Sequence, residues 1–459
     1  GHQEIELALV KLYKVTGKKE YLNTAKYFID KRGEGENYFL KEEKSEKYKR
    51  IFPEFANYDT KYSQSHIPVR EQKTAEGHAV RAVYMYSAMA DLAEQFNDNE
   101  LLQVCDTLWN NIVNKRMYIT GSIGSSGLLE RFTTNYDLPN DCNYSETCAS
   151  IGLAMFGKRM ANIKKDASYI DTVECALYNT LLSGIAMDGK SFFYVNPLEV
   201  WTENCMERTS KEHVKPVRQT WFGVACCPPN ITRTLSSLGQ YIYFKEDNQI
   251  YTNLFIANET KTEINDIPFT LKLSSNFPWE NKIKFEINGQ SKTNALFAFR
   301  IPNYAKNYKI KLNGQEIQYK TENSYAKLDG LFKKDTIEIE FDAPATFIYA
   351  NSEVRADTGK VAIVKGPIVY CLEEVDNGKN LSSIFIDTDK KIKCKFDNNL
   401  LGGSEILELS AQKIKPSQSN NLYSADKPEK EPLTVKAVPY CYWGNRKTGE
   451  MSVWIKEKV

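Results

Sequence analysis

The hydrophobic period of this sequence changes once, near Tyr243, and the change divides the chain. Before it, apolar residues recur every three to four positions; after it they alternate. Helices therefore come first and strands second. At 459 residues the chain is too long for one core, so two or three domains are expected. The helical part repeats a helix–turn–helix unit. Ile5 to Tyr13 is apolar at helical spacing, Thr16-Gly17 breaks it, and Glu20-Tyr21-Leu22 opens a return helix closed by Lys31-Arg32-Gly33. Gly77 to about Gln95 and Leu101 to Val113, turned by Asn97-Asp98-Asn99, form a second unit. Glu146 to about Asn162 and Tyr169 to Ile185 form a third. Repeated αα-hairpins point to a solenoid or toroid in which inner and outer helices alternate.

In a closed ring, equivalent turns meet at one mouth. Gly1-His2, Gly77-His78 and Glu146-Thr147-Cys148 all fall in the first turn of the first helix of a unit. His2, His78, Glu146 and Cys148 are then expected to face one pocket. The plainer alternative for His78 is a histidine that only caps its helix.

Beyond Tyr243, alternating runs cover Ile250–Ile256, Phe269–Leu273, Lys282–Ile287, Ala295–Ile301, Tyr308–Leu312 and Thr336–Phe341. Asn313-Gly314 is a hairpin turn signal. Further strands are expected within Val361–Leu372, Leu433–Val438 and Met451–Ile455. Short strands at this spacing predict antiparallel sandwiches.

Chemistry concentrates at Cys226-Cys227-Pro228-Pro229-Asn230. Adjacent thiols backed by prolines are a poor way to fill a core. With Glu146 and Cys148 they supply one carboxylate and three sulfurs, a donor set that suits zinc. Packing thiols or a vicinal disulfide are the alternatives for the pair. The 10 cysteines are too irregularly spaced for a disulfide framework. A net charge of +1 gives no support for nucleic acid or an anionic membrane as partner, and no apolar run approaches the ~20 residues of a membrane span. Aromatic residues at 12%, including 27 Tyr, suit sugar stacking and β-sandwich cores equally. The chain opens inside a helical pattern, which leaves the compartment undecided.

Several phrases together resemble glycoside hydrolase family 127, the bacterial β-L-arabinofuranosidases. They are Gly77-His78-Ala79-Val80-Arg81-Ala82, Thr120-Gly121-Ser122-Ile123-Gly124-Ser125, Glu130-Arg131-Phe132 and Tyr136-Asp137-Leu138-Pro139-Asn140. Glu146-Thr147-Cys148-Ala149, the Cys226-Cys227 phrase, Phe299-Arg300-Ile301-Pro302 and Gly449-Glu450-Met451 complete the series. The resemblance implies an (α/α)6 barrel followed by two antiparallel β-sandwich domains. The domains would be 1–243, with the first barrel helices missing, then 244–350 and 351–459. It implies zinc held by Glu146, Cys148, Cys226 and Cys227, Cys226 as nucleophile, and Glu130 as acid and base with a pKa raised by burial. It places His2, His78 and Tyr194 against the sugar of an oligosaccharide or glycan. A homodimer is allowed, and the compartment would be bacterial cytoplasm or periplasm.

Two readings from other classes stay open. One is another α/α-toroid enzyme, an epimerase or lyase, which needs no Cys-Cys pair. The other is a non-catalytic carbohydrate-binding protein with a structural zinc, distinguished by whether an open pocket lies over Cys226 and faces Glu130. Within the family, a related modified sugar is the nearest rival to L-arabinofuranose.

Overall fold

The computed structural model describes residues 2–417 and 421–458, leaving out the Glu54 side chain. Gly1 of the Gly1-His2 phrase lies outside the described residues. The three expected helix pairs are present: Glu4–Thr16 with Lys19–Lys31, Ala79–Phe96 with Asn99–Lys115, and Thr147–Lys164 with Ser168–Ala176. Local chemistry sets their ends. Gly17 adopts φ 70° and returns its N–H to the Tyr13 carbonyl, closing the first helix in the left-handed way that glycine permits. The Asp98 side chain accepts from the Leu101 N–H and starts the Asn99–Lys115 helix.

Burial separates inner from outer helices. Ala79–Phe96 is buried around most of its circumference, as is Thr147–Lys164. Lys19–Lys31 buries only Leu22, Ala25 and Ile29, one face of an amphipathic helix. The two inner helices approach closely at Gly152, where an added Cβ would come within 2.4 Å of Val83 Cγ2. A helix from Cys227 to Ser236, which periodicity did not reveal, packs against this group.

Beyond Tyr243 the chain is β-rich, and the pairing corrects the sequence reading in two ways. The sheets are not purely antiparallel. Gln249–Thr252 pairs parallel with Lys282–Arg300, and Ile384–Ile386 pairs parallel with Ile455–Glu457. Both pairs are joined through long stretches of chain, which parallel pairing requires. In addition, Lys282–Arg300 is one long strand, although two were expected within it. It runs beside Tyr325–Asp342 with one irregularity at Phe332 to Lys334. Asn313-Gly314 does turn a hairpin, both residues having positive φ.

The last sheet reaches back into the helical half. Its path runs from Glu199–Val200 through Met451–Ser452, Ile368–Glu373, Lys430–Pro439, Ser404–Ile414, Ile384–Ile386, Ile455–Glu457 and Lys360–Lys365 to Thr346–Ile348. Lys360–Lys365 also pairs with Ile368–Glu373, so the path closes on itself where two separate facing sheets were expected. Trp443 from this region stacks on Phe193 at 4.5 Å, beside Tyr194.

One buried ion cluster fastens the first sheet to the helices. Arg300 is fully buried. Its guanidinium donates to Asp171 at 2.8 Å and to Glu174, and Tyr304 donates to Glu174 at 2.7 Å. Replacing Arg300 with methionine strands two carboxylates in a dry interface. It is expected to destabilise the chain by about 3–5 kcal/mol, read as a lower urea midpoint. An unchanged midpoint would show that the cluster carries no net stability.

Candidate active site and metal centre

Three helix starts meet at one place. His78 is the N-cap of Ala79–Phe96, Glu146 of Thr147–Lys164, and Cys226 of Cys227–Ser236. Helix N-termini carry partial positive charge, which favours carboxylates and thiolates. Pro228 and Pro229 fit the first turn of the last helix, where a missing N–H removes nothing.

Backbone strain delivers both carboxylates. Leu129 and Glu130 adopt φ 59° and 53°, and Ser145, just before Glu146, adopts φ 45°. Non-glycine residues hold such angles only where the surroundings fix them. At Ser145 the Asn143 and Ser122 side chains bond its hydroxyl, while Asn196 donates to its carbonyl. The Glu130 loop is pinned by bridges from His78 to Arg131 and from Ser126 to Arg131. The Phe132 N–H donates to the Gly77 carbonyl. Gly77 itself cannot be larger: a Cβ there would lie 1.9 Å from the Lys61 carbonyl oxygen.

Glu146, Cys148, Cys226 and Cys227 form one cluster, their ligand atoms all within 4.8 Å of one another. Cys148 Sγ lies 3.4 Å from Cys226 Sγ and 3.7 Å from Cys227 Sγ; the adjacent pair is 3.9 Å apart. Glu146 Oε1 lies 3.2 Å from Cys226 Sγ, and its Oε2 is buried with no hydrogen-bond partner. Burial pushes Glu146 and Cys227 well above their ordinary values, while the Cys148 and Cys227 thiols hold Cys226 well below. Four acidic groups this crowded cannot all ionise without a cation among them. The set can therefore hold a metal ion. Three members are buried and Cys226 alone is exposed.

A cavity of about 520 Å3 lies over that exposed sulfur, and His2, His78, Glu130, Glu146, Cys148 and Tyr194 all line it. The sequence-predicted residues are thus brought together. His78 Nε2 lies 2.8 Å from Glu130 Oε2, and Tyr194 Oη lies 3.1 Å from Cys226 Sγ. His2 sits at the rim, edge-on to His78 and Tyr84. Burial and the Arg81 charge lower its pKa to about 4.

Sequence reading missed Tyr144, whose hydroxyl donates to Glu130 Oε1 at 2.9 Å. Burial and the Glu146 and Glu130 charges hold its pKa far above that of an ordinary phenol, so it remains a donor. Its place two residues before Glu146 was the available signal. The expectation for Glu130 is also corrected. Burial raises its pKa, but the bonds from His78 and Tyr144 outweigh burial and leave it below the ordinary value.

Similarity to known proteins covers the whole chain. The model of the β-L-arabinofuranosidase GH127 catalytic domain matches residues 1–240, that of the GH127 middle domain 249–343, and that of the family 127 C-terminal domain 345–456. A curated relative from Bifidobacterium longum subsp. longum, a non-reducing end β-L-arabinofuranosidase, is 38% identical over 468 residues, covering 99% of this chain and 70% of its own length. The crystal structure of a GH127 β-L-arabinofuranosidase from Geobacillus stearothermophilus T6 superimposes with a TM-score of 0.96 at 44% identity, covering 100% of this chain and 72% of that one. A second GH127 β-arabinofuranosidase structure gives 0.87 at 36% identity, covering 100% and 69%. The chain belongs to glycoside hydrolase family 127 and is a glycoside hydrolase.

Proposed function

We propose that the chain is a retaining β-L-arabinofuranosidase in which Cys226 is the nucleophile and Glu130 the acid and base. The open face of Cys226 carries this reading: the other clustered donors are buried, and this sulfur looks into the cavity that Glu130 also lines. A purely structural metal site would be closed on all sides. The sugar is taken from the names of the relatives. The family resemblance is our ground for treating the helix pairs as part of an (α/α)6 barrel, with β-rich domains beginning near 244 and 351.

The metal that suits the donors is zinc. Tetrahedral sulfur ligands at ~2.3 Å stand ~3.8 Å apart, and the three sulfur pairs stand at 3.4, 3.7 and 3.9 Å. Glu146, Cys148, Cys226 and Cys227 would hold it, and when bound it supplies the positive charge that keeps the Cys226 sulfur ionised.

In the first step, Cys226 Sγ attacks the anomeric carbon, the bond to the leaving oxygen breaks, and Glu130 gives that oxygen a proton. In the second, Glu130 takes a proton from water, the water oxygen attacks the same carbon, and the carbon–sulfur bond breaks. Two inversions retain configuration. Tyr194 donates to the departing sulfur, and His78 and Tyr144 hold Glu130 in place. A sugar in the cavity excludes water from the Glu130 carboxyl, strengthening the burial that raises its pKa against the His78 bond. The proton needed in the first step is favoured once substrate is seated.

The direct test is hydrolysis of p-nitrophenyl β-L-arabinofuranoside before and after a chelator. Activity and metal are expected to leave together and to return with zinc. Full activity in metal-free protein would end this reading. Cys105, Cys142, Cys175, Cys205, Cys371, Cys394 and Cys441 lie outside the cluster. Replacing any of them with alanine should leave zinc content, measured by emission spectroscopy, near that of the parent. Cys148→Ala should lower it. Zinc loss in a folded variant of one of the seven would move the metal elsewhere.

A further inference from the structure

A second cavity, of about 560 Å3, opens beside the catalytic one, and none of the chemistry above uses it. Its lining includes six aromatic rings, from Phe39, Tyr48, Phe52, Phe55, Tyr58 and Tyr62. The rings brace one another edge-on, Phe39 against Tyr58 at 5.4 Å and Phe55 against Tyr62 at 4.9 Å. Phe39 and Phe52 nevertheless remain 40% and 58% exposed. Clustered aromatic rings left open to water mark a binding surface more readily than a core. Glu42 and Lys47 line the same cavity and offer an acceptor and a donor.

Its position relative to the catalytic groups is specific. Cys226 lies against Glu146, and the ligand atoms of Glu146, Glu130 and His78 stand within 4.8 Å of one another. Glu130 bonds His78, and the His78 ring meets the Tyr62 ring at 5.6 Å. The sequence of contacts is Cys226, Glu146, Glu130, His78, Tyr62. The aromatic cavity therefore adjoins the catalytic pocket at the His78–Glu130 pair, through the Tyr62 ring. The leaving group departs next to the acid/base, because nucleophile and acid approach the anomeric carbon from opposite faces. One contact ties the aromatic loop to the acid/base loop and a second ties it to the helix start at His78. Arg131 donates to Asp59 at 3.1 Å, and the His78 N–H donates to the Tyr62 carbonyl at 3.1 Å.

We infer that this aromatic cavity is a leaving-group subsite that receives a second, saturated sugar ring linked to the arabinofuranosyl unit. The C–H faces of such a ring stack on aromatic faces, and its hydroxyls meet the Glu42 and Lys47 side chains. The inference rests on the reaction assigned under Proposed function.

The test compares two substrates. One is a disaccharide of L-arabinofuranose β-linked to a second pentose. The other is methyl β-L-arabinofuranoside, which has no second ring. Phe39→Ala and Phe52→Ala remove exposed side chains, so folding should hold, as circular dichroism would check. Each is expected to lower kcat/KM for the disaccharide about tenfold, mainly through KM, while the methyl glycoside stays within about twofold of the parent. Phe52→Trp should restore the disaccharide value. Equal loss on both substrates, or loss on neither, overturns the subsite alone. If the parent chain cleaves neither substrate, the assigned reaction fails and the subsite fails with it.

Discussion

Cys226→Ser, assayed with zinc at saturation, is expected to fold and to lose turnover on the order of 10⁴-fold or more, the scale seen when a nucleophile is removed. The argument starts from exposure. Glu146, Cys148 and Cys227 are buried, and Cys226 presents its sulfur to the cavity. A serine there keeps the volume close to the original, so packing of the Cys227–Ser236 helix is preserved. It does not keep the chemistry: an alcohol ionises far less readily than a thiol and binds zinc weakly. Zinc content and thermal midpoint, measured on the same sample, separate loss of nucleophile from loss of fold. Near-parent rates in a zinc-loaded Cys226→Ser protein would remove the sulfur from the reaction. Zinc would then be structural or would activate water, and an inverted product, read from the anomeric proton, would favour water.

Much of this site was visible before the fold was known, because helix starts repeat. The turns at His2, His78 and Glu146 each stand at the start of the first helix of a hairpin, and all three residues line one cavity. The adjacent cysteines were legible for a different reason, since two thiols before two prolines have few structural uses. The missed features depend on long-range contacts. Tyr144 acts through a hydrogen bond to a residue 14 positions earlier, on a loop whose path no periodicity encodes. The depressed pKa of Glu130 follows from His78, 52 positions earlier. Burial alone pointed in the opposite direction. The closed path of the last sheet was equally hidden. Glu199–Val200 is too short to register as a strand, and its partner lies at Met451–Ser452.

Glu130→Gln is expected to divide substrates by leaving group. The amide cannot donate the proton that an alkoxide needs, so a glycan substrate should lose about 10²–10⁴ in kcat/KM, the usual contribution of a general acid. A p-nitrophenyl glycoside departs as a stable phenolate and needs little help in that first step, so its kcat/KM should fall far less. The amide also cannot take a proton from water, which slows the second step for every substrate. For the aryl glycoside this predicts a burst of nitrophenol followed by slow turnover. Azide carries its own charge and needs no base, so it should speed that second step and yield a β-glycosyl azide. The geometry adds a condition. His78 and Tyr144 grip the two carboxyl oxygens at 2.8 and 2.9 Å, and the Tyr144 hydroxyl can accept as well as donate. His78 Nδ1 accepts the Arg81 N–H, which leaves Nε2 as a donor, so the amide oxygen should face His78 and its NH2 should donate to the Tyr144 hydroxyl oxygen. Equal losses on both substrates, with no burst and no azide product, would mean that Glu130 only holds the pocket together. A retained azide product would instead require that a covalent intermediate had formed on the opposite face, where Cys226 is the exposed nucleophile.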